Sequence, residues 1–125
     1  MVRICVRMSV ESKIRIPFMK MHGLGNDFVV VDGRDSRIEL TDSLISGIAD
    51  RHRGVGFDQL AVILPSDVDA HLDFYNSDGS KSAACGNATR CIARFLMNET
   101  GKSTLNLKTD RGILHAVIRA KGLRP

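Results

Sequence analysis

Hydrophobic positions recur every second residue over several stretches of this chain and every third or fourth residue over two others. These are the periods of strands and of helices. The β-branched and aromatic run at 27–33, DFVVVDG, ends in Asp-Gly and predicts a strand entering a turn. Thr41 is placed as an N-cap, and Leu44, Ile45, Ile48 and Ala49 follow at helical spacing, so 42–51 reads as a short amphipathic helix. The glycine-punctuated GVGFD at 54–58 is a loop, and QLAVIL at 59–64 is a buried strand closed by Pro65. In 70–76, AHLDFYN, Leu72 and Phe74 share one face, and Asn76 falls on that face at the strand's end. SDGS at 77–80 is a turn. From Cys85 the period lengthens: Ala88, Cys91, Ile92, Phe95 and Leu96 mark a helix over about 85–98. Residues 103–109 and 112–119 are alternating strands joined by a tight turn at Arg111-Gly112.

Only the 42–51 helix lies between strands at crossover distance, so a regular α/β alternation is excluded. The pattern predicts an α+β domain over 17–125, a mixed β-sheet around one central apolar helix. No linker or repeat interrupts it. Residues 1–16, MVRICVRMSVESKIRI, carry no element in this reading and stand apart as an N-terminal tail. The tail is read as disordered or as the product of an upstream start, with Met8 or Met19 opening the chain proper; a transit peptide is the alternative. Arg3, Arg7 and Lys13 interrupt every stretch that could serve as the apolar segment of a secretory signal.

Apolar residues make up 43% of the 125, enough to build a core. No apolar run approaches the roughly 18 residues a membrane span needs, so no membrane partner is expected. Charge is more informative. Residues 1–20 carry five of the 18 basic residues and one of the 14 acidic ones, which leaves the rest of the chain neutral. There is no basic patch on the body, and with five Phe, one Tyr and no Trp a nucleic-acid partner is excluded. Three cysteines give no disulfide framework. Cys85 and Cys91 would lie about 9 Å apart along one helix, beyond the ~7 Å a disulfide spans. No zinc spacing occurs, so no metal is expected, and a reducing cytoplasm is the compartment that suits free thiols.

The sharpest concentration of chemistry is NSDGSKSAACGNATRC at 76–91, which sets a cysteine before Gly86-Asn87 where a helix starts. The first N–H groups of a helix lack intrahelical partners and, with the helix dipole, favour an anion. A carboxylate can sit on the N–H groups of Gly86 and Asn87. The same field lowers the pKa of Cys85 from its usual value of about 8.5. Together they suit removal of a proton alpha to a carboxylate: the donors stabilise the developing enolate charge and the thiolate takes the proton. The competing reading of Cys85 is a small buried residue; Cys91, among the apolar helix positions, is read as core. In KMHGLGNDFVVVD at 20–32, Asn26 either presents an amide to a polar ligand or is a turn residue. No helix follows the two glycines there, so the dinucleotide fingerprint fails. In RGVGFDQL at 53–60, Gln59 opens a buried strand and needs a polar partner, from backbone or ligand. His22, His52, His71 and His115 are read as structural.

The strings KMHGLGNDF, GVGFDQ and NSDGS-x4-ACGNATRC, in this order, resemble the amino-terminal half of a bacterial diaminopimelate epimerase, from about Phe18 to the chain's end. Proline-racemase-like proteins carry CGH in place of CGN, and phenazine-biosynthesis isomerases lack the cysteine. The resemblance implies a first domain of two, each a mixed sheet curled around a central helix, with the active site between them. It implies interconversion of LL- and meso-diaminopimelate, a small-molecule substrate of lysine and peptidoglycan precursor biosynthesis, by thiol/thiolate exchange of the alpha proton. No pyridoxal phosphate, other cofactor or metal takes part, and the full-length enzyme is a cytoplasmic homodimer. By the same resemblance Cys85 exchanges the proton on one face. Gly86 and Asn87 cradle the carboxylate, and Asn26, Gln59 and Asn76 bind the amino-acid ends. Epimerisation also needs a thiol on the other face, which this family draws from its second half. Cys91 lies more than a turn along the same helix, and Cys5 lies outside the resemblance. Two alternatives stay open: a related isomerase with another substrate, and a stand-alone half that binds a ligand or partner without turnover.

Overall fold

The structure, a computed structural model, describes residues 2–7, 15–23, 25–34, 40–52, 54–82 and 86–117. Its elements are β1 (Val2–Arg7), β2 (Arg15–Gly23), β3 (Asn26–Asp32), α1 (Asp42–Ala49), β4 (Gln59–Leu64), β5 (Ala70–Asn76), β6 (Lys81–Ser82), α2 (Gly86–Thr100), β7 (Thr104–Thr109) and β8 (Gly112–Val117). The strands form one mixed sheet in the order β1-β2-β3-β4-β5-β7-β8, with the short β6 also beside β5. The pairs β3·β4 and β5·β7 are parallel, and the others are antiparallel.

Each parallel pair needs a crossover, and a helix supplies it: α1 between β3 and β4, α2 between β5 and β7. Both crossovers step the same way across the sheet, but β5 runs opposite to β4. The strong preference for right-handed connections then sends the two helices to opposite faces. The side chains divide accordingly. Phe28, Val30, Ala61, Ile63, Leu72, Phe74, Leu105 and Leu107 pack with Ile92 and Leu96 of α2. Val29, Val31, Leu60 and Val62 pack with Ile45 and Ile48 of α1 and with Phe57. Strands β3 and β4 are covered on both faces, which is why FVVV and LAVI are continuous apolar runs. β7 alternates exposed and buried residues, with one face on α2 and the other in solvent. Each fully buried large side chain contributes about 1.5–3 kcal/mol.

Local signals set the ends. Thr41 caps α1, its Oγ1 accepting the Leu44 N–H at 3.1 Å. After α2, Gly101 adopts a φ of +76° and its N–H donates to the Met97 carbonyl at 2.8 Å. On β8, at the end of the sheet order, Ile113, Leu114 and Val117 are 61%, 43% and 54% exposed.

Three features differ from the sequence reading. KMHG, assigned to no element from the sequence, belongs to strand β2, which pairs with β3 as far as Gly23↔Asn26. Residues 2–7, placed in a tail without an element, form β1 against β2; the alternation of Val2, Ile4 and Val6 in the sequence suits a strand. Finally, α2 is itself a crossover helix and shares the sheet with α1. Its buried stripe is Ala88, Thr89, Ile92, Ala93, Leu96 and Met97, and Cys91 and Phe95 are half-buried at its margin.

Candidate functional site

Three of the candidate residues stand at strand ends. Asn26 opens β3, Gln59 opens β4 and Asn76 closes β5. Gln59 is the Cα partner of Asn76 in the antiparallel pair and of Phe28 in the parallel one. By strand alternation Asn26 shares a face with Phe28, Gln59 with Ala61, and Asn76 with Phe74. All three of those apolar residues pack on the α2 side. The sheet therefore brings three side-chain amides to one end of one face, the face that α2 covers.

The helix start belongs to the same neighbourhood. Gln59 Nε2 donates to Ser82 Oγ at 3.2 Å, and Ser82 precedes the start of α2 at Gly86 by four positions. Gly86 is exposed, and among the described residues nothing beyond its own helix lies within 4 Å of where a Cβ would stand. Asn87 is half-buried and its Oδ1 accepts from Arg90 Nη2 at 2.6 Å. Cys85 lies outside the described residues. Asn76 is held by the NSDGS turn: its N–H donates to the Ser80 carbonyl at 2.8 Å and its Nδ2 to Ser80 Oγ at 3.1 Å. The turn relies on Gly79, whose φ is +91° and where a Cβ would meet Asp42 backbone at 2.7 Å.

On the opposite face of the same sheet end lies a charged network that the sequence reading did not pick out. Asp27 Oδ2 is 2.9 Å from Lys20 Nζ and 3.2 Å from Arg51 Nη1. Lys20 Nζ also donates to the Gly56 carbonyl. The Asp27 N–H donates to Asp58 Oδ2 at 3.0 Å. The Asp58 N–H returns the bond to Asp27 Oδ1 at 2.9 Å and reaches the Asp27 carbonyl at 3.0 Å. Burial works to raise the Asp27 pKa, but the hydrogen bonds from Arg51 and Lys20, the Lys20 charge and the Asp58 N–H outweigh it and hold the carboxyl well below the usual carboxylate range. The GVGFD loop gains its reason here. Gly54 closes against the end of α1, and Gly56, at a φ of +80°, lies against the Arg51 side chain.

The sequence pattern of the family described as diaminopimelate epimerase matches residues 18–124. The chain belongs to the diaminopimelate epimerase family. It is 50% identical over 108 residues to the diaminopimelate epimerase of Acidiphilium cryptum (strain JF-5), covering 86% of this chain and 39% of that protein. It is 42% identical over 115 residues to that of Azoarcus sp. (strain BH72), covering 88% of this chain and 42% of that one. The chain thus spans about two-fifths of the length of these curated epimerases. Among solved structures, a methylitaconate-delta-isomerase superposes with a TM-score of 0.63 at 19% identity, covering 87% of this chain and 62% of that one. A phenazine biosynthesis PhzC/PhzF protein of Clostridium difficile (strain 630) gives 0.59 at 21%, covering 77% and 35%. At these identities the structural likeness speaks for the shared fold alone.

Two other features of this epimerase-family chain include none of the three amides. A cleft of about 440 Å³ between β2 and the distal half of α2 is lined by Lys20, Met21, His22, Cys91, Arg94, Phe95 and Asn98. Among the described residues it contains none of Asn26, Gln59, Asn76, Gly86 and Asn87. His71, Asp73 and Asp110 gather their ligand-type atoms within 4.8 Å. His71 Nε2 lies 3.0 Å from Asp73 Oδ1, and Lys81 Nζ stands 3.4 Å from each carboxylate. Burial opposes the charge on Lys81, but Asp73 and Asp110 outweigh it and raise its pKa, so a protein cation already answers these carboxylates. No helix among the described residues is long and apolar enough to cross a membrane.

Proposed function

We propose that this chain supplies one half of the active site of a cofactor-independent epimerase that interconverts LL- and meso-diaminopimelate. Asn26, Gln59 and Asn76 bind the amino and carboxylate ends of the substrate. The N–H groups of Gly86 and Asn87 hold the carboxylate at the reacting carbon, and Cys85 acts there as thiolate base or thiol acid. The observation that carries this reading is the convergence of the three amides on the α2 face, in a chain of the diaminopimelate epimerase family. Amides donate and accept, so they suit a zwitterionic amino acid at both of its charged groups.

The chemistry divides between two faces. Removal of the alpha proton leaves charge on the carboxylate oxygens, where backbone donors stabilise it. Inversion then requires a proton from the opposite side, delivered by an acid already within about 3 Å. That acid is proposed to come from the remaining three-fifths of the full-length enzyme, which works as a cytoplasmic homodimer on this small molecule alone.

Deuterium uptake at the alpha carbon of LL-diaminopimelate in heavy water is the test. The chain by itself should give negligible exchange. Mixed with the carboxy-terminal portion of the Acidiphilium relative it should give measurable exchange, and Cys85→Ala should abolish it while Cys91→Ala retains it. Robust turnover by the isolated chain would overturn the division of labour. Binding of diaminopimelate without exchange in any mixture would favour a non-catalytic binding half.

A further inference from the structure

We propose that Asp27 and Asp58 are positioning residues, a reciprocal clamp that fixes the spacing and rotation of Asn26 and Gln59 from the far side of the sheet. The inference rests on the reading of those two amides as substrate-binding groups. Asn26 and Gln59 begin neighbouring parallel strands, and a parallel pair has no hairpin to set its register where the strands begin. Here the residue after Asn26 and the residue before Gln59 bind one another. The Asp27 N–H is held by Asp58 Oδ2, and the Asp58 N–H by Asp27 Oδ1 and the Asp27 carbonyl. A shift of either strand start breaks these bonds together.

The clamp is anchored on two further elements. Lys20 comes from β2 and Arg51 from the segment after α1, and both contact the Asp27 carboxylate. Asp27 and Lys20 side chains are 15% and 16% exposed, so the central pair is shielded from solvent, while Asp58 at 46% is open at the rim. Strand alternation puts the clamp on the α1 face and the amides on the α2 face. The clamp therefore acts through the backbone without touching the ligand. Misplacing a binding group by about 1 Å can cost two orders of magnitude in rate.

The test uses Asp58→Ala, which removes the acceptor of the Asp27 N–H together with a 3.4 Å ion pair to Arg51 at an exposed position, with Asp58→Asn as the conservative rescue and Asp69→Asn as the control. Asp69 also accepts a backbone N–H, from Asn106 at 2.7 Å, and an ion pair from Lys102 at 2.6 Å, but at the opposite end of β5. In NMR spectra of the 125-residue chain, Asp58→Ala should speed exchange of the Asp27 amide at least about tenfold and shift the side-chain amide resonances of Asn26 and Gln59. Asp58→Asn, which keeps an acceptor oxygen, should restore both, and Asp69→Asn should leave both unchanged at comparable loss of stability. Titration with meso-diaminopimelate should show affinity about tenfold weaker for Asp58→Ala and unchanged for Asp69→Asn. Unmoved Asn26 and Gln59 resonances in Asp58→Ala, or equal movement in Asp69→Asn, would overturn the clamp. Failure of the parent chain to bind diaminopimelate would count against the functional reading, and the exchange and resonance data would still decide the clamp.

Discussion

Adding one methyl group at Gly54 should cost more stability than deleting three carbons from many core positions. A Cβ there would lie 2.2 Å from the Gly47 carbonyl oxygen, 2.6 Å from that of Ile48 and 2.9 Å from the Ile48 carbonyl carbon. All three are backbone atoms, so no rotamer change relieves the overlap; the loop and the end of α1 must part by about 1 Å to regain normal contact. That separation strains the bonds from Val55 and Gly56 N–H to the Ile48 carbonyl, both 2.9 Å, and from Gly54 N–H to Asp50 at 2.7 Å. Overpacking costs about 1–3 kcal/mol and each weakened bond about 1 kcal/mol. Gly54→Ala is therefore expected to lose about 4–6 kcal/mol. Gly47, seven residues earlier within α1 and exposed, has nothing within 4 Å of the same added methyl. Gly47→Ala should gain about 0.5–1 kcal/mol from helix propensity. Urea denaturation followed by far-UV circular dichroism measures both. A Gly54→Ala midpoint within about 0.5 kcal/mol of the parent, or the same sign of change for both variants, would refute this account.

Three further outcomes are expected. Thr41→Ala removes the acceptor for the Leu44 N–H and should cost about 1 kcal/mol in the same assay, while Thr41→Ser stays close to the parent. Ile92 is fully buried on the sheet-facing side of α2; Ile92→Ala should cost about 2–5 kcal/mol and Ile92→Val about 0.5–1.5 kcal/mol, read from calorimetry. The Asp27 pKa is lowered by folding, so its contribution is complete above the unfolded value of about 3.9 and is lost as pH falls through the folded value. The parent should thus lose stability on acidification below about pH 5 more steeply than Asp27→Asn; parallel pH profiles would show that Asp27 carries no such linkage.

How legible the molecule is depends on the range of the forces involved. QLAVIL and AHLDFYN announce themselves through composition and alternation, and β4 and β5 span those residues. Thr41 is equally local, since an N-cap needs only its own turn. The candidate amides Asn26, Gln59 and Asn76 stand out through family resemblance, and their common face follows from counting by twos. What sequence does not carry is anything set by chain returning from far away. Asp27 and Asp58 are 31 residues apart and become partners only when β3 and β4 pair in parallel. Gly54 and Gly56 look like loop punctuation until α1 and Arg51 are beside them. The stripe of α2 was displaced for a related reason. Cys91 and Phe95 look central by size and polarity, but the sheet accepts the side centred on Ile92 and Leu96.

The exposed edge formed by β8 bears on how this polypeptide behaves in bulk. Ile113, Leu114 and Val117 give it an apolar surface on a strand whose one partner among the described residues is β7. Backbone donors and acceptors left open along such an edge, beside greasy side chains, are a template for strand addition by any similar edge. Strand addition of this kind joins two chains, so it grows with the concentration of a preparation. A single lysine placed at Ile113 would act as a gatekeeper against such strand addition without touching the folded interior.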